Sequence, residues 1–345
     1  EEVVVAEGGD SVLYGTNAMG AALLLRSRWR QSEGWEAGTD AAYGSFDTFR
    51  GTAMALVRRG AWDGALGLTA LRTDGHRDGA GGADQVAQAA VRYRFGDGWS
   101  ATLRNKLFHV TGGDPGTVDH PYVDHTFDVV RNNVSATLEL DRPGLRVTVR
   151  PWADVGRHVL YDGFRSLDWT AGVLAEAAAR LHPDWTLLLG LEVREVDGRV
   201  QDRIAGTSTD LDATVDFSIH QQATWRPLTG LSLIAGTREQ YSLRYGFVFA
   251  GKLGVRYDVW RGLYVRSRVA RNFRHPTLRE LYLPYPVANP ELRPETSLNA
   301  DVAIGWESRH LEVEVTGFRS QAKDLIKYFG SWPAVEVINI DRMVV

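Results

Sequence analysis

The chain has 345 residues, 44% of them hydrophobic and 24% charged, apolar enough for two ordinary domains or one large β structure and too apolar for a disordered chain. A net charge of −4 with no run of like charges gives no basis for a nucleic-acid partner. The absence of cysteine excludes disulfides, thiolate metal sites and a cysteine nucleophile, and no stretch approaches the roughly 18 apolar residues of a membrane helix, a test that the alternating strands of a membrane barrel do not have to pass.

The opening, Glu1-Glu2-Val3-Val4-Val5, has neither a starting methionine nor a signal peptide and reads as a cut end. A rhythm of tight turns follows: Arg59-Gly60, Gly96-Asp97-Gly98, Arg142-Pro143-Gly144, His182-Pro183-Asp184, Pro227-Leu228-Thr229-Gly230, Arg261-Gly262 and Ser308-Arg309-His310. Gly, Pro and Asp are the residues such turns demand. Their spacing of roughly 30 to 50 residues fits two strands and one loop per turn. Longer polar connections lie between them, over 73–84, 109–125, 151–162, 197–210 and 272–294. Short turns at one end and long loops at the other are the asymmetry of an outer-membrane barrel.

Between the turns, apolar and polar residues alternate. Val215, Phe217 and Ile219 oppose Thr214, Asp216, Ser218 and His220; Leu263, Val265 and Val269 oppose Tyr264, Arg266 and Arg268; Val313 and Val315 oppose Glu312 and Glu314. A period of two means strand, and a face this polar suits a wet lumen. Trp62, Trp99, Trp185, Trp225, Trp260, Tyr264 and Trp306 gather beside the short turns, as a girdle at a membrane–water boundary would. Two strands around each turn and one at each end give roughly 16 strands, closed into a ring so that every backbone group is satisfied in hydrocarbon. The predicted fold is all-β, an antiparallel transmembrane β-barrel.

The run Glu7-Gly8-Gly9-Asp10-Ser11-Val12-Leu13-Tyr14-Gly15-Thr16-Asn17-Ala18-Met19-Gly20 resembles the end of the plug domain of TonB-dependent receptors, where Gly-Pro-x-Ser-x-Leu-Tyr-Gly-x-x-Ala-x-Gly-Gly leads into the barrel. Tyr14, Gly15 and Gly20 match it; it departs from the motif over Gly9-Asp10, where Gly-Pro is usual, and at Ala21. Gly15 and Gly20 are expected to take positive φ, and Ala18 to allow close packing. Tyr43 to Arg50 looks like the family's first hairpin, and Thr73-Asp74-Gly75-His76 like its second outer loop. The most specific match runs from Arg271 to Tyr282 and from Asn289 to Ser297. It resembles Phe-Arg-x-Pro-x-x-x-Glu-Leu-Tyr and Asn-Pro-x-Leu-x-Pro-Glu-x-Ser, with Arg274, Pro276, Glu280, Pro290, Pro294 and Glu295 in fixed positions. The prolines stop ladder pairing.

The resemblance implies that residues 1–30 are the C-terminal tail of a plug and 31–345 a partial barrel, incomplete at roughly 16 of about 22 strands and so with two unpaired edges. It also implies a place among the lipids of a Gram-negative outer membrane, a metal-chelate ligand (iron-siderophore, cobalamin or similar), and energy delivered by TonB with ExbB and ExbD. No enzyme activity and no required cofactor are implied.

One outer loop is dense in ligand-type side chains: His109, Asp114, Asp119, His120, Tyr122, Asp124 and His125 are the candidate ligand-binding residues, although a solvated loop has the same composition. Asp74, Asp78 and Asp84 are candidate calcium ligands by resemblance to cobalamin receptors, without the order of an EF-hand. Arg274, Glu280 and Glu295 are either a salt-bridged anchor at the outer rim or unpaired, hydrated side chains. Arg146, Arg150, Arg266, Arg268 and Arg271 are expected to face the lumen and pair with plug or barrel carboxylates, the alternative being that they steer an anionic chelate inward. Three rivals stand beside the receptor reading. A passive porin-like barrel has no use for the Ser11–Gly20 motif; a barrel-rim hydrolase would need an acid/base constellation that Asp124-His125 could begin; a soluble β-rich binding protein would not need the asymmetry of the loops.

Overall fold

A computed structural model describes the chain apart from residues 1, 8, 27, 283–287, 331–334 and 345, and apart from the side chains of residues 2–7, 25 and 26. Gly8 of the plug-like motif and part of the 272–294 connection therefore lie outside the described residues.

Strands β1 (Glu2–Glu7) and β2 (Ala21–Arg26) form a small antiparallel sheet, with the short helix α1 (Ser11–Tyr14) between them. The remaining strands make one antiparallel wall in chain order. They are β3 (Gly34–Gly44), β4 (Thr48–Arg59), β5 (Trp62–Thr73), β6 (Gly82–Gly96), β7 (Trp99–Gly113), β8 (Thr126–Arg142), β9 (Leu145–Leu160), β10 (Phe164–His182), β11 (Trp185–Asp202), β12 (Thr207–Asp210), β13 (Thr214–Leu228), β14 (Leu231–Ser242), β15 (Gly246–Trp260), β16 (Leu263–Arg274), β17 (Glu295–Glu307), β18 (Glu312–Phe329) and β19 (Glu336–Val344). A second short helix, α2 (Leu278–Tyr282), lies between β16 and β17.

Two strands share one edge of β11: the short β12 pairs with its outer end and β13 with the rest. The seventeen segments thus fill sixteen positions around the wall, the number predicted. The last strand comes round beside the first, where the described residues carry no extended ladder. Each of the seven predicted turns joins consecutive strands, all at one end of the wall.

Two predicted loops are strand instead. Residues 151–160 belong to β9, and 197–202 with 207–210 form an outward hairpin of β11 and β12. Pro151 explains the first difference. It pairs with Val173 of β10, while the ladder to β8 skips it, resuming at Trp152 and Val149. A residue without an N–H is tolerated where a ladder can be interrupted.

Alternation sorts the faces as predicted. On β13, Phe217 and Ile219 look outward, while Asp216, Ser218 and His220 are buried inside. The tryptophans of the girdle are exposed, and Trp185 and Trp225, direct cross-strand partners, stack with centroids 5.2 Å apart. Tyr264 is the exception: it is only 2% exposed and points into the lumen. Its cross-strand partner is Gly305, where a Cβ would fall 2.3 Å from the ring, and its hydroxyl donates to Glu314 at 2.9 Å.

Candidate functional site

Inside the wall, residues 9–20 form a closed loop. Gly9 N–H donates to Gly20 O and Asp10 N–H to Ala18 O, both at 2.8 Å. Gly9 has φ 80°, and a Cβ there would sit 2.2 Å from Met19 O, so no other residue fits. Aligned on Ser11, Gly9 stands where the motif has its proline, which could make neither this φ nor the bond to Gly20, while Asp10 caps α1 through Leu13 N–H at 3.3 Å and pairs with Lys252 at 2.6 Å. Gly15 takes the expected positive φ and lies against Arg238. Gly20 does not; the left-handed residue near it is Asn17, at φ 70°. Ala18 is buried, as close packing requires.

The loop is tied to the wall through exchanged backbone bonds. Strand β16 follows β15 only as far as the Gly251–Arg271 pair, then leaves it. Ser11 takes over: its hydroxyl accepts from Phe273 N–H and donates to Phe273 C=O, each at 3.2 Å, and its own N–H donates to Asn272 Oδ1 at 3.0 Å. Thr16 Oγ1 accepts from His275 N–H at 2.8 Å, and Asn299 donates to Met19 O at 3.0 Å. Val12 completes the joint by packing on Val248, Ala250 and Phe273.

Beneath Gly15 sits a buried polar node. Arg238, 3% exposed, pairs with Glu192 and donates to Ser218 at 2.7 Å and to His220 Nδ1 at 3.4 Å. His220 donates in turn from Nε2 to Glu176 at 2.9 Å. A buried guanidinium persists only when its charge and donors are met in this way.

On the loop side, Thr16 and Asn17 form part of the floor of a cavity of about 830 Å³. Its wall charges are paired: Arg131 with Asp154 and with Asp168, and Arg194 with Asp216 at 2.5 Å. His275 Nδ1 lies 3.6 Å from Asp216. Several buried polar atoms around it have no protein partner: Asp216 Oδ1, Arg194 Nε, His275 Nε2 and the Tyr245 hydroxyl. Burial pushes the Tyr245 phenol up to about 12, so it stays a neutral donor. A second cavity, about 880 Å³, is bordered by Met19 and Gly20.

The late motifs build the predicted anchor. Arg274 binds Glu280 in a fork, both bonds 3.0 Å, and Glu295 through bonds of 2.6 and 2.8 Å. Thr277 and Glu280 form a capping box at the start of α2: Thr277 N–H donates to Glu280 at 2.8 Å, and Glu280 N–H donates to the Thr277 hydroxyl at 3.3 Å. Burial works to raise the Glu280 carboxyl, but Arg274 and Thr277 outweigh it and hold it below its ordinary value. Pro276 lies two residues past the end of β16, Pro290 lies in a turn, and Pro294 precedes β17.

The predicted ligand loop is only partly a cluster. His109 belongs to the wall strand β7, 3.6 Å from Asp128. Within 114–125, Asp114 accepts from Gly116 N–H, His120 N–H donates to Thr117, and Asp119 and Asp124 are exposed. His125 is stacked between Tyr122 and Tyr161, at 4.3 and 3.6 Å. Among the described residues no three His, Cys, Asp or Glu side chains come together as a metal site requires. Asp74 instead faces Arg72 at 3.7 Å, Asp78 is exposed, and Asp84 lies in β6, so the calcium set is not assembled. Arg266 and Arg268 face the lumen and share Asp301, and Arg146 pairs with Asp141. Arg271 falls on the outward face with Val265 and Val269, contrary to expectation, because parity on β16 puts odd positions outside.

Sequence reasoning missed Lys252, Arg238, His220 and Asn272. For Lys252, Arg238 and His220 the signal was parity alone, since each lies on the inward face of its strand; Asn272 also lies within the late family motif.

A wall with an apolar exterior, a charged interior, short turns at one end and its own N-terminal segment docked in the bore defines a transmembrane barrel of the receptor type. The family model described as TonB dependent receptor-like, beta-barrel matches residues 26–345. The chain is 22% identical, over 95% of its length, to the vitamin B12 transporter BtuB of Photobacterium profundum, and covers 55% of that protein. Among solved structures, the copper transporter OprC superposes with a TM-score of 0.83 at 15% identity, over 99% of this chain and 62% of that one. The siderophore receptor PirA from Pseudomonas aeruginosa gives 0.79 at 16% identity, over 99% and 67%. The chain belongs to the TonB-dependent receptor family and is a barrel of the Gram-negative outer membrane. That family consists of receptors and transporters, not enzymes. The chain spans little more than half the length of the curated relative it matches.

Proposed function

We propose that the protein imports a scarce metal chelate, such as an iron-siderophore or cobalamin, with energy supplied by TonB and its ExbB and ExbD partners. One observation carries the reading: the 9–20 loop is knit into the lumen wall between two cavities. A passive pore gains nothing from such a segment. The loop of residues 114–125, with His120, Tyr122, His125 and the aspartates 114, 119 and 124, offers a first contact at the outer mouth.

The charges of the outer cavity bear on the cargo. Arg131 and Arg194 are already matched by aspartates. A strongly anionic chelate would have to displace those partners, whereas one near neutrality would not. The test is uptake by the complete receptor in cells lacking other receptors, with labelled cobalamin, a neutral ferric hydroxamate and a triply anionic ferric catecholate. Uptake of one of the first two, lost when TonB is deleted, is expected. Uptake that persists without TonB would overturn active import; preference for the catecholate would overturn only the charge argument.

A further inference from the structure

The outward face of β16 to β19 carries cations in a place where lipid is expected. Parity puts Arg319, Gln321 and Lys323 on the face that also bears the exposed Val313 and Val315 of β18, and Arg342 opposite Lys323 on β19. Arg271 joins them two strands away, on the rung of Leu298 and Gln321. Gln321 links the group: its amide oxygen accepts from Arg342 at 3.4 Å or, with the amide turned over, from Arg319 at 2.9 Å.

None of these four cations has a carboxylate within salt-bridge distance among the described residues, whereas on the other face of the same strands Arg266, Arg268 and Arg274 are all paired. Lys323 and Arg342 are moreover direct cross-strand partners. Like charges placed opposite each other destabilise a sheet unless an anion lies between them.

Height along the wall identifies the level. Counting from the short turn before Glu312, Arg319 and Lys323 stand roughly 16 and 26 Å up a strand tilted about 45°. The apolar band is about 25 Å tall, so the cations reach from its upper third to its outer edge. There a long basic side chain can lift its charge to the headgroups while its stem lies on the wall. Below them Val302, Ile304, Val313 and Val315 give a continuous apolar surface.

We propose that Arg271, Arg319, Lys323 and Arg342 form a binding site for the phosphate groups of an outer-leaflet lipid whose chains lie along β16–β18. Each phosphate oxygen can accept from a guanidinium fork or an ammonium, and one doubly phosphorylated headgroup would neutralise the Lys323–Arg342 pair.

The test uses the complete receptor, delipidated in nonionic detergent and titrated with diphosphoryl lipid A, with phosphatidylcholine and inorganic phosphate as comparisons. Saturable binding is expected, weakened at least about tenfold in R319Q/K323Q/R342Q and by added salt. R142Q, at the opposite end of the barrel, should leave it unchanged. The charge-conserving R319K/K323R/R342K should retain binding, which keeps the test valid if the neutral variant assembles poorly. Equal affinity for phosphatidylcholine, or undiminished binding by an assembled neutral variant, would overturn the site. Competition by inorganic phosphate at the concentrations where lipid A binds would replace it with a free-anion site.

Discussion

Arg274 shows how much one side chain can hold. It joins the end of β16, the cap of α2 and the start of β17, and Glu295 carries the connection on to Ile326 N–H at 2.6 Å. Replacing Glu295 by Gln removes the charge from a nearly buried fork, at a cost of about 3 kcal/mol. Limited proteolysis should therefore cut the 275–294 connection at least tenfold faster in that variant; an unchanged rate would mean the anchor is redundant. The depressed carboxyl of Glu280 sets the pH dependence. Its contribution is fully present above the ordinary glutamate value of about 4.3 and is lost as pH falls through the lower folded value. Protection of the connection should fade only in that acidic range, and the Glu280→Gln variant should lack the change. Gly190 makes a second case. A Cβ there would lie 2.1 Å from the His220 ring, so Gly190→Ala should push His220 off Glu176 and lower the unfolding temperature. Adding His220→Ala should recover part of the loss, because the obstruction is then gone. No recovery would place the cost elsewhere.

At the scale of elements, the strands and turns were legible because period two and the Gly, Pro and Asp turn residues are local signals. Two loops were misread because polarity alone marked them. In a barrel the inward face is polar along its whole length, so residues 151–160 and 197–202 look like loop while pairing as strand. Nearness to a turn assigns Tyr264 to the girdle, yet alternation sets it on the inward face with Arg266 and Arg268, where Gly305 leaves room for its ring. The site was legible only where family motifs run. The Arg274 anchor followed from the family motifs, but the ties of Asp10, Ser11 and Thr16 to Lys252, Phe273 and His275 join residues about 240 to 260 positions apart, which no local pattern records. The Ser11 tie has a direct check. Ser11→Ala leaves both backbone groups of Phe273 without that partner, so the Phe273 amide should exchange with deuterium at least tenfold faster. Unchanged exchange would mean that Phe273 is protected by something other than Ser11.

For the molecule as a whole, the docked loop has a mechanical side. Its ends meet at Gly9 and Gly20, and its ties fall one after another along the chain: Asp10 to Lys252, Ser11 to Phe273, Thr16 to His275, Met19 to Asn299. Tension applied at Gly9 loads its bond to Gly20 first and the Asp10–Lys252 pair next, and comes to each later tie only after the one before it has given way. A fastening arranged in series opens like a zip, at a force set by its strongest single tooth rather than by the sum of them all. A segment can in this way be bound firmly at rest and still be drawn out by a modest, steady pull.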